Sequence, residues 1–184
     1  IDLCLTNNMI LRYQDPRRFG LWIYIHDNPL QHPLLSHLGP EPLSVDCTEH
    51  DLYDRAHQRK QCIKAFIMNH KMIVGVGNIY ACESLFLAGI HPQQPAGTLT
   101  LKQMRSVLFH IKNVLKQAIQ VGGTTLRDFY ASDGKPGYFA HSLKVYGRQN
   151  LPCFNCKTVI QTISIAGRTS AFCPQCQPLY SLPI

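Results

Sequence analysis

Four cysteines near the C-terminus constrain this chain more than any other feature: Cys153-Phe154-Asn155-Cys156, then residues 157–172, then Cys173-Pro174-Gln175-Cys176. Each Cys-x-x-Cys pair offers two thiolates from one tight turn, and two such turns together give a tetrahedral sulfur set. The pattern predicts a single zinc ion, Zn2+, on Cys153, Cys156, Cys173 and Cys176. Four protein ligands leave no open position for a reacting water, so such an ion is structural and stabilises a segment too short to fold alone. A redox pair or disulfides are the competing reading of the same residues. The stretch from Val159 to Phe172, with Gly167 at a turn, fits the β-hairpin of a zinc ribbon. Cys4, Cys47, Cys62 and Cys82 stand singly in apolar or mixed surroundings and read as reduced residues of a cytoplasmic protein.

The rest of the composition narrows the class. A chain of 184 residues, 45% of them hydrophobic, can build a core. No stretch approaches the ~20 apolar residues needed to cross a bilayer, and nothing resembles a signal peptide. Lys and Arg number 18 against 11 acids, a net charge of +7 that favours a polyanionic partner. The chain opens on Ile1 inside what reads as a strand, and is expected to be part of something longer.

Periodicity and punctuation place the elements. Residues 2–13 read as a hairpin turning at Thr6-Asn7-Asn8, and Phe19 to Ile25 as a third, aromatic-rich strand within 19–26. Thr48 followed by Asp51 predicts an N-cap for a helix through Gln58, and a second helix is expected from Gln61 to Asn69. The Gly-rich turn Val74-Gly75-Val76-Gly77-Asn78 precedes a third helix that stops at Gly89. The longest helix starts near Thr100, with Leu101, Met104, Leu108, Ile111, Leu115 and Ala118 as its core stripe. Residues 123–140 read as a long loop, and Leu143 to Tyr146 as a short strand leading into the cysteine module.

Six segments in register resemble formamidopyrimidine-DNA glycosylase, a bacterial base-excision repair family. They are Asp15-Pro16-Arg17-Arg18-Phe19-Gly20, His37-Leu38-Gly39-Pro40-Glu41-Pro42-Leu43, Val74 to Ala81, Gly122-Gly123-Thr124-Thr125-Leu126, Asp133 to Phe139, and Val145-Tyr146-Gly147-Arg148. The resemblance implies an α+β chain in three parts. Terminal strands of a β-sandwich domain (1–44) precede a helix-two-turns-helix DNA-binding domain (45–141) with a lesion-capping loop at 123–139, and a zinc finger (142–184) follows. It implies a bifunctional DNA glycosylase and abasic-site (β/δ) lyase that removes oxidised purines, 8-oxoguanine and formamidopyrimidines, from double-stranded DNA. It also implies a monomer, located in the cytoplasm with the nucleoid and not in a membrane. The family's Schiff-base proline, glutamate and lysine cannot be placed in this sequence, so the chain by itself is expected to bind DNA without catalysis.

The resemblance also implies roles for particular residues. Arg17, Arg18 and Phe19 correspond to the wedge that fills the gap left by an extruded base, Phe19 inserting and Arg17 meeting the orphaned cytosine. Lys60, Lys64, Asn78 and Arg168 correspond to phosphate contacts, with Arg168 also assigned as proton donor in δ-elimination. Ile79 and Tyr146 correspond to lesion-pocket walls. Two other readings compete: a non-catalytic DNA-binding or damage-sensing module on the same scaffold, and a pyrimidine-specific relative of the endonuclease VIII type. The Arg-Arg-Phe element and the Gly-Lys-Pro-Gly-Tyr-Phe loop argue against the latter.

Overall fold

The computed structural model describes residues 1–16, 18–124 and 142–180. They form two compact units, Ile1–Ser36 and His37–Ile184. In the first, strand β1 (Asp2–Cys4) pairs antiparallel with β2 (Ile10–Arg12), in register Asp2↔Arg12, Leu3↔Leu11 and Cys4↔Ile10. Asn supplies the turn as expected: Asn8 takes a left-handed φ of 62°, and the Asn7 side chain accepts from the Met9 N–H at 3.1 Å. Arg12 forks onto Asp2 with two bonds of 2.8 Å.

The expected strand from Phe19 to Ile25 does not form. A strand exists only by pairing its backbone with a neighbour. Among the described residues this segment has no strand beside it, and Phe19, Leu21, Trp22, Ile23 and Tyr24 remain exposed. β-propensity without a ladder does not make a strand.

The second unit is built on four helices. Helix α1 (Glu49–Ala56) starts at Thr48, whose hydroxyl accepts from the Asp51 N–H, and it ends two residues before Gln58. Helix α2 (Ile63–Ile67) is shorter than the Gln61–Asn69 expected. At its front the Gln61 carbonyl accepts from Ala96 and the Cys62–Pro95 bridge holds the chain extended; at its back Asn69 closes turns with Met72 and Ile73. Helix α3 (Asn78–Ala88) follows the Gly-rich turn and stops at Gly89, whose φ of 68° is the left-handed C-cap that glycine adopts cheaply.

Helix α4 (Leu101–Gln120) opens on a capping box, with Thr100 and Gln103 satisfying each other's backbone N–H groups. Its stripe of Met104, Val107, Leu108, Ile111, Val114 and Ala118 is buried. The core gathers there with Leu52, Ile63, Phe66, Ile67, Ile73 and Leu85. Each such side chain contributes roughly 1.5–3 kcal/mol on leaving water. Among the described residues, no helix is long and apolar enough to cross a membrane.

The cysteine module is a hairpin of β3 (Gln161–Ile165) and β4 (Arg168–Phe172), joined by Ala166 and Gly167 at φ 49° and 71°. Two left-handed residues between paired strands fit the right-handed strand twist. The short strand expected at Leu143 to Tyr146 is instead a bend and turn. Its N–H groups face a side chain, Glu83, and not another strand. Most of the long loop read at 123–140, including the Asp133 to Phe139 motif, lies outside the described residues.

Candidate functional site

The cysteines converge as their spacing predicted. Cys153 and Cys176 sulfurs lie 3.9 Å apart, Cys156 and Cys173 3.4 Å, and Cys156 and Cys176 3.5 Å. Four thiolates around one zinc at ~2.3 Å would have edges near ~3.8 Å, so the set fits a single tetrahedral ion. A disulfide would require roughly 2.05 Å. Hydrogen bonds from the Thr158 side chain and backbone pull the Cys156 thiol down to about 6, whereas burial pushes those of Cys173 and Cys176 up. Cys156 is thus the readiest of these three to bind as thiolate, and Cys173 and Cys176 give up their protons to the metal on binding.

Beside the metal centre, the hairpin is tied to the helices. Gln177, fully buried, accepts from the Cys173 N–H at 2.9 Å and donates to the Ile90 carbonyl at 2.8 Å. His91 meets the Phe172 ring edge-on at 4.6 Å. Cys82 and Phe86 of α3 share a small core with Val145, Cys153, Ile160, Ala171 and Cys173.

A second tie organises polar groups. Lys64 is fully buried, and its ammonium donates to the Asn78 Oδ1 and, at 2.6 Å, to Ser170 Oγ. Burial pushes this lysine below its usual value, and the nearby Arg168 adds to the same direction. The Asn78 amide completes the knot by donating to the Thr169 carbonyl at 2.9 Å. In this arrangement Lys64 works behind the surface, fixing Asn78 and β4. The groups it brings to one place are the first N–H groups of α3, which an α-helix leaves without intrahelical partners, and the exposed Arg168 at the start of β4. That combination suits an anion.

The lesion-pocket candidates also come together. Ile79 and Tyr146 pack with Tyr80 against Val114, Ala118 and Leu143. An open cavity beside them is lined by Tyr146, Gly147, Gln149, Thr162, Thr169 and Ala171. Lys60 is exposed in the connection between α1 and α2.

In the first unit, Asp15 builds the loop that carries Arg18 and Phe19. Its carboxylate accepts from the N–H groups of Arg18 at 3.1 Å and Gly20 at 2.6 Å. Arg18 sits at φ 58°, and a Cβ on residue 20 would displace the Tyr13 hydroxyl. The Phe19 ring projects at the tip, 83% exposed. Arg17 is outside the described residues.

Comparison with known proteins bears on this arrangement. Residues 38–130 match the formamidopyrimidine-DNA glycosylase H2TH domain, and residues 150–179 match the zinc finger found in FPG and IleRS. The chain belongs to the formamidopyrimidine-DNA glycosylase family. It is 59% identical over 179 residues to the formamidopyrimidine-DNA glycosylase of Legionella pneumophila (strain Lens), covering 97% of this chain and 65% of that one. The enzyme of that name from Hydrogenovibrio crunogenus is 52% identical over 177 residues, covering 96% and 63%. The chain thus spans just under two thirds of the length of these relatives. Among solved structures, the MutM (Fpg) protein of Thermus thermophilus is similar at a TM-score of 0.88 and 37% identity, over 98% of this chain and 68% of that one. The Lactococcus lactis Fpg in complex with DNA containing an abasic site gives 0.72 and 33%, over 79% and 53%.

As in this family, the matched zinc finger contains Cys153, Cys156, Cys173 and Cys176, which hold one structural zinc ion. Sequence reasoning passed over Ser170, Gln177 and Glu83, and named Asp15 only as part of a family segment. Glu83 could have been found: α3 is apolar nearly all round, and a lone carboxylate on such a helix must be buried and paired.

Proposed function

We propose that this chain is the DNA-gripping part of a bifunctional glycosylase and abasic-site lyase that removes oxidised purines from duplex DNA. The observation that carries this reading is the buried Lys64, which joins the N-terminus of α3 to the strand bearing Arg168 and so presents two phosphate-binding devices side by side. The solved relatives include complexes with abasic-site DNA, with Fapy-dG containing DNA and with carbocyclic 8-oxo-G containing DNA. The net charge of +7 agrees with a polyanionic partner.

In this reading Arg168 and Asn78 hold the backbone around the lesion, Lys64 supports them from behind, and Lys60 adds a peripheral phosphate contact. Phe19 fills the vacated stack, Arg17 meets the orphaned cytosine, Arg18 holds the backbone, and Ile79 and Tyr146 wall the pocket of the extruded base. Zinc supplies no chemistry to the base or sugar; it folds the hairpin that presents Arg168. Arginine keeps its proton at neutral pH, so its part is to bind phosphate before any transfer of a proton. Such an enzyme acts as a monomer on the nucleoid in the cytoplasm.

Arg168→Ala tests the reading. The variant should keep its zinc and melting temperature, lose about tenfold in affinity for a duplex bearing a tetrahydrofuran abasic analogue, and show a salt slope smaller by about 1. Unchanged affinity, or zinc loss with melting, would show that Arg168 does not grip DNA.

A further inference from the structure

Glu83 is the one acid of α3 and is 3% exposed. Its carboxylate accepts from three successive backbone N–H groups: Lys144 at 2.7 Å, Val145 at 2.9 Å and Tyr146 at 2.8 Å. Three consecutive amides converging on one anion make a concave nest, here filled by the protein's own side chain. Burial pushes this carboxyl up, and the three N–H bonds pull it back.

Stability alone is a poor explanation for this arrangement. A buried carboxylate carries a large desolvation cost, and an apolar side chain of similar volume often does as well or better. What the carboxylate adds is geometry, because three bonds to consecutive amides admit one conformation of the bend. That bend ends in Tyr146 and is followed by Gly147 at φ 73°, where the chain turns toward the hairpin. One turn earlier on α3, the Tyr80 hydroxyl lies 3.1 Å from Thr124 Oγ1. Positions three apart share a helix face. The same face therefore holds residue 124 and residues 144–146, while Ile79 at its front packs in the cluster with Tyr146. The helix that ends in the anion-binding N-terminus thus also sets the bend carrying Tyr146.

We propose that Glu83 is a positioning residue for damage recognition: it fixes Lys144 to Tyr146 on α3, so that Tyr146 stands where it can distinguish a damaged site from an intact duplex. The inference rests on the function proposed above. Glu83 touches no ligand and acts through Tyr146, so it governs preference between two DNAs more than affinity for either backbone.

The test uses the whole chain and two duplexes of equal length, one carrying a tetrahydrofuran abasic analogue opposite cytosine and one intact. Zinc content, melting temperature and hydrogen exchange at amides 144–146 are measured alongside. Glu83→Gln should retain zinc and bind intact DNA almost as wild type, yet lose about tenfold in preference for the abasic duplex, the scale of one charge-assisted hydrogen bond. Exchange should rise at amides 144–146 and not across α4. Glu83→Asp, shorter by one methylene, should recover part of the preference. Glu83→Gln combined with Tyr146→Ala should be no less selective than Tyr146→Ala alone, since coupled residues are not additive.

Unchanged preference in Glu83→Gln, or losses that add in the double variant, would overturn the proposal. If Glu83→Gln loses zinc and melts, Glu83→Asp must show reduced preference with zinc bound, or the proposal fails. A wild-type chain with no preference for the abasic duplex would instead sink the proposed function and this inference together. A selective wild type beside an equally selective Glu83→Gln removes the inference alone.

Discussion

His91 shows how a single residue can carry a condition into the fold. It is almost fully buried against Phe172 of the hairpin, its Nδ1 accepts from the Gln93 N–H at 3.1 Å, and burial holds its pKa below the usual value. The folded chain therefore keeps His91 neutral where the unfolded chain would take up a proton. Stability from this residue is present above about pH 6.5 and is lost as pH falls through the folded pKa. Denaturant unfolding at pH 7.5 and 5.5, with zinc in excess, should show a larger loss for wild type than for His91→Asn. Equal losses would mean that His91 is not the group that titrates. His110 is depressed by burial as well, but it lies on α4 beside Phe109 and serves as an internal comparison.

Among the elements of the second unit, helix α4 is the longest. Its cap, Thr100 with Gln103, fixes where it starts, and its apolar stripe faces α1 and α3. Ile111 is fully buried in the middle of that stripe. Ile111→Ala should cost about 2–5 kcal/mol, the transfer of the lost groups plus the cavity left behind. Guanidinium unfolding followed by circular dichroism checks this, and a change under about 1 kcal/mol would mean that α4 repacks freely. The pattern of α4 could be read directly because a long amphipathic helix writes its period of 3.6 into the sequence. The segments Phe19 to Ile25 and Leu143 to Tyr146 could not. Both have strand-like composition, but whether a strand forms is decided by a partner elsewhere. For Leu143 to Tyr146 that partner turned out to be a carboxylate.

For the second unit as a whole, the metal centre and the helices form one mechanical piece. Gln177 and Gln94 bond across between the C-terminal cysteine turn and the segment after α3, and the Lys64 knot joins α2, α3 and β4. Removing zinc with a chelator at neutral pH should therefore do more than loosen a hairpin. It should lower the melting temperature of the helical part and abolish duplex binding, and both should return when zinc is restored. Calorimetry paired with DNA binding checks this. A helical transition unchanged by chelation would show that the hairpin is an independent module. Acid should have the same effect, because protonated thiols release the ion.

The zinc ligands, the cap of α1, the start of α4, the glycine stop of α3, the hairpin turns and the family motifs could all be read from the amino-acid order. Each is written in neighbouring residues, where spacing and local chemistry suffice. It took the folded chain to show that Lys64 lies inside the protein beneath Arg168, that Glu83 closes on Lys144 to Tyr146, and that Gln177 ties the cysteine turn to Ile90. Those bonds join residues 61–106 positions apart. A buried polar group must find a partner, but its own surroundings in sequence do not say which one.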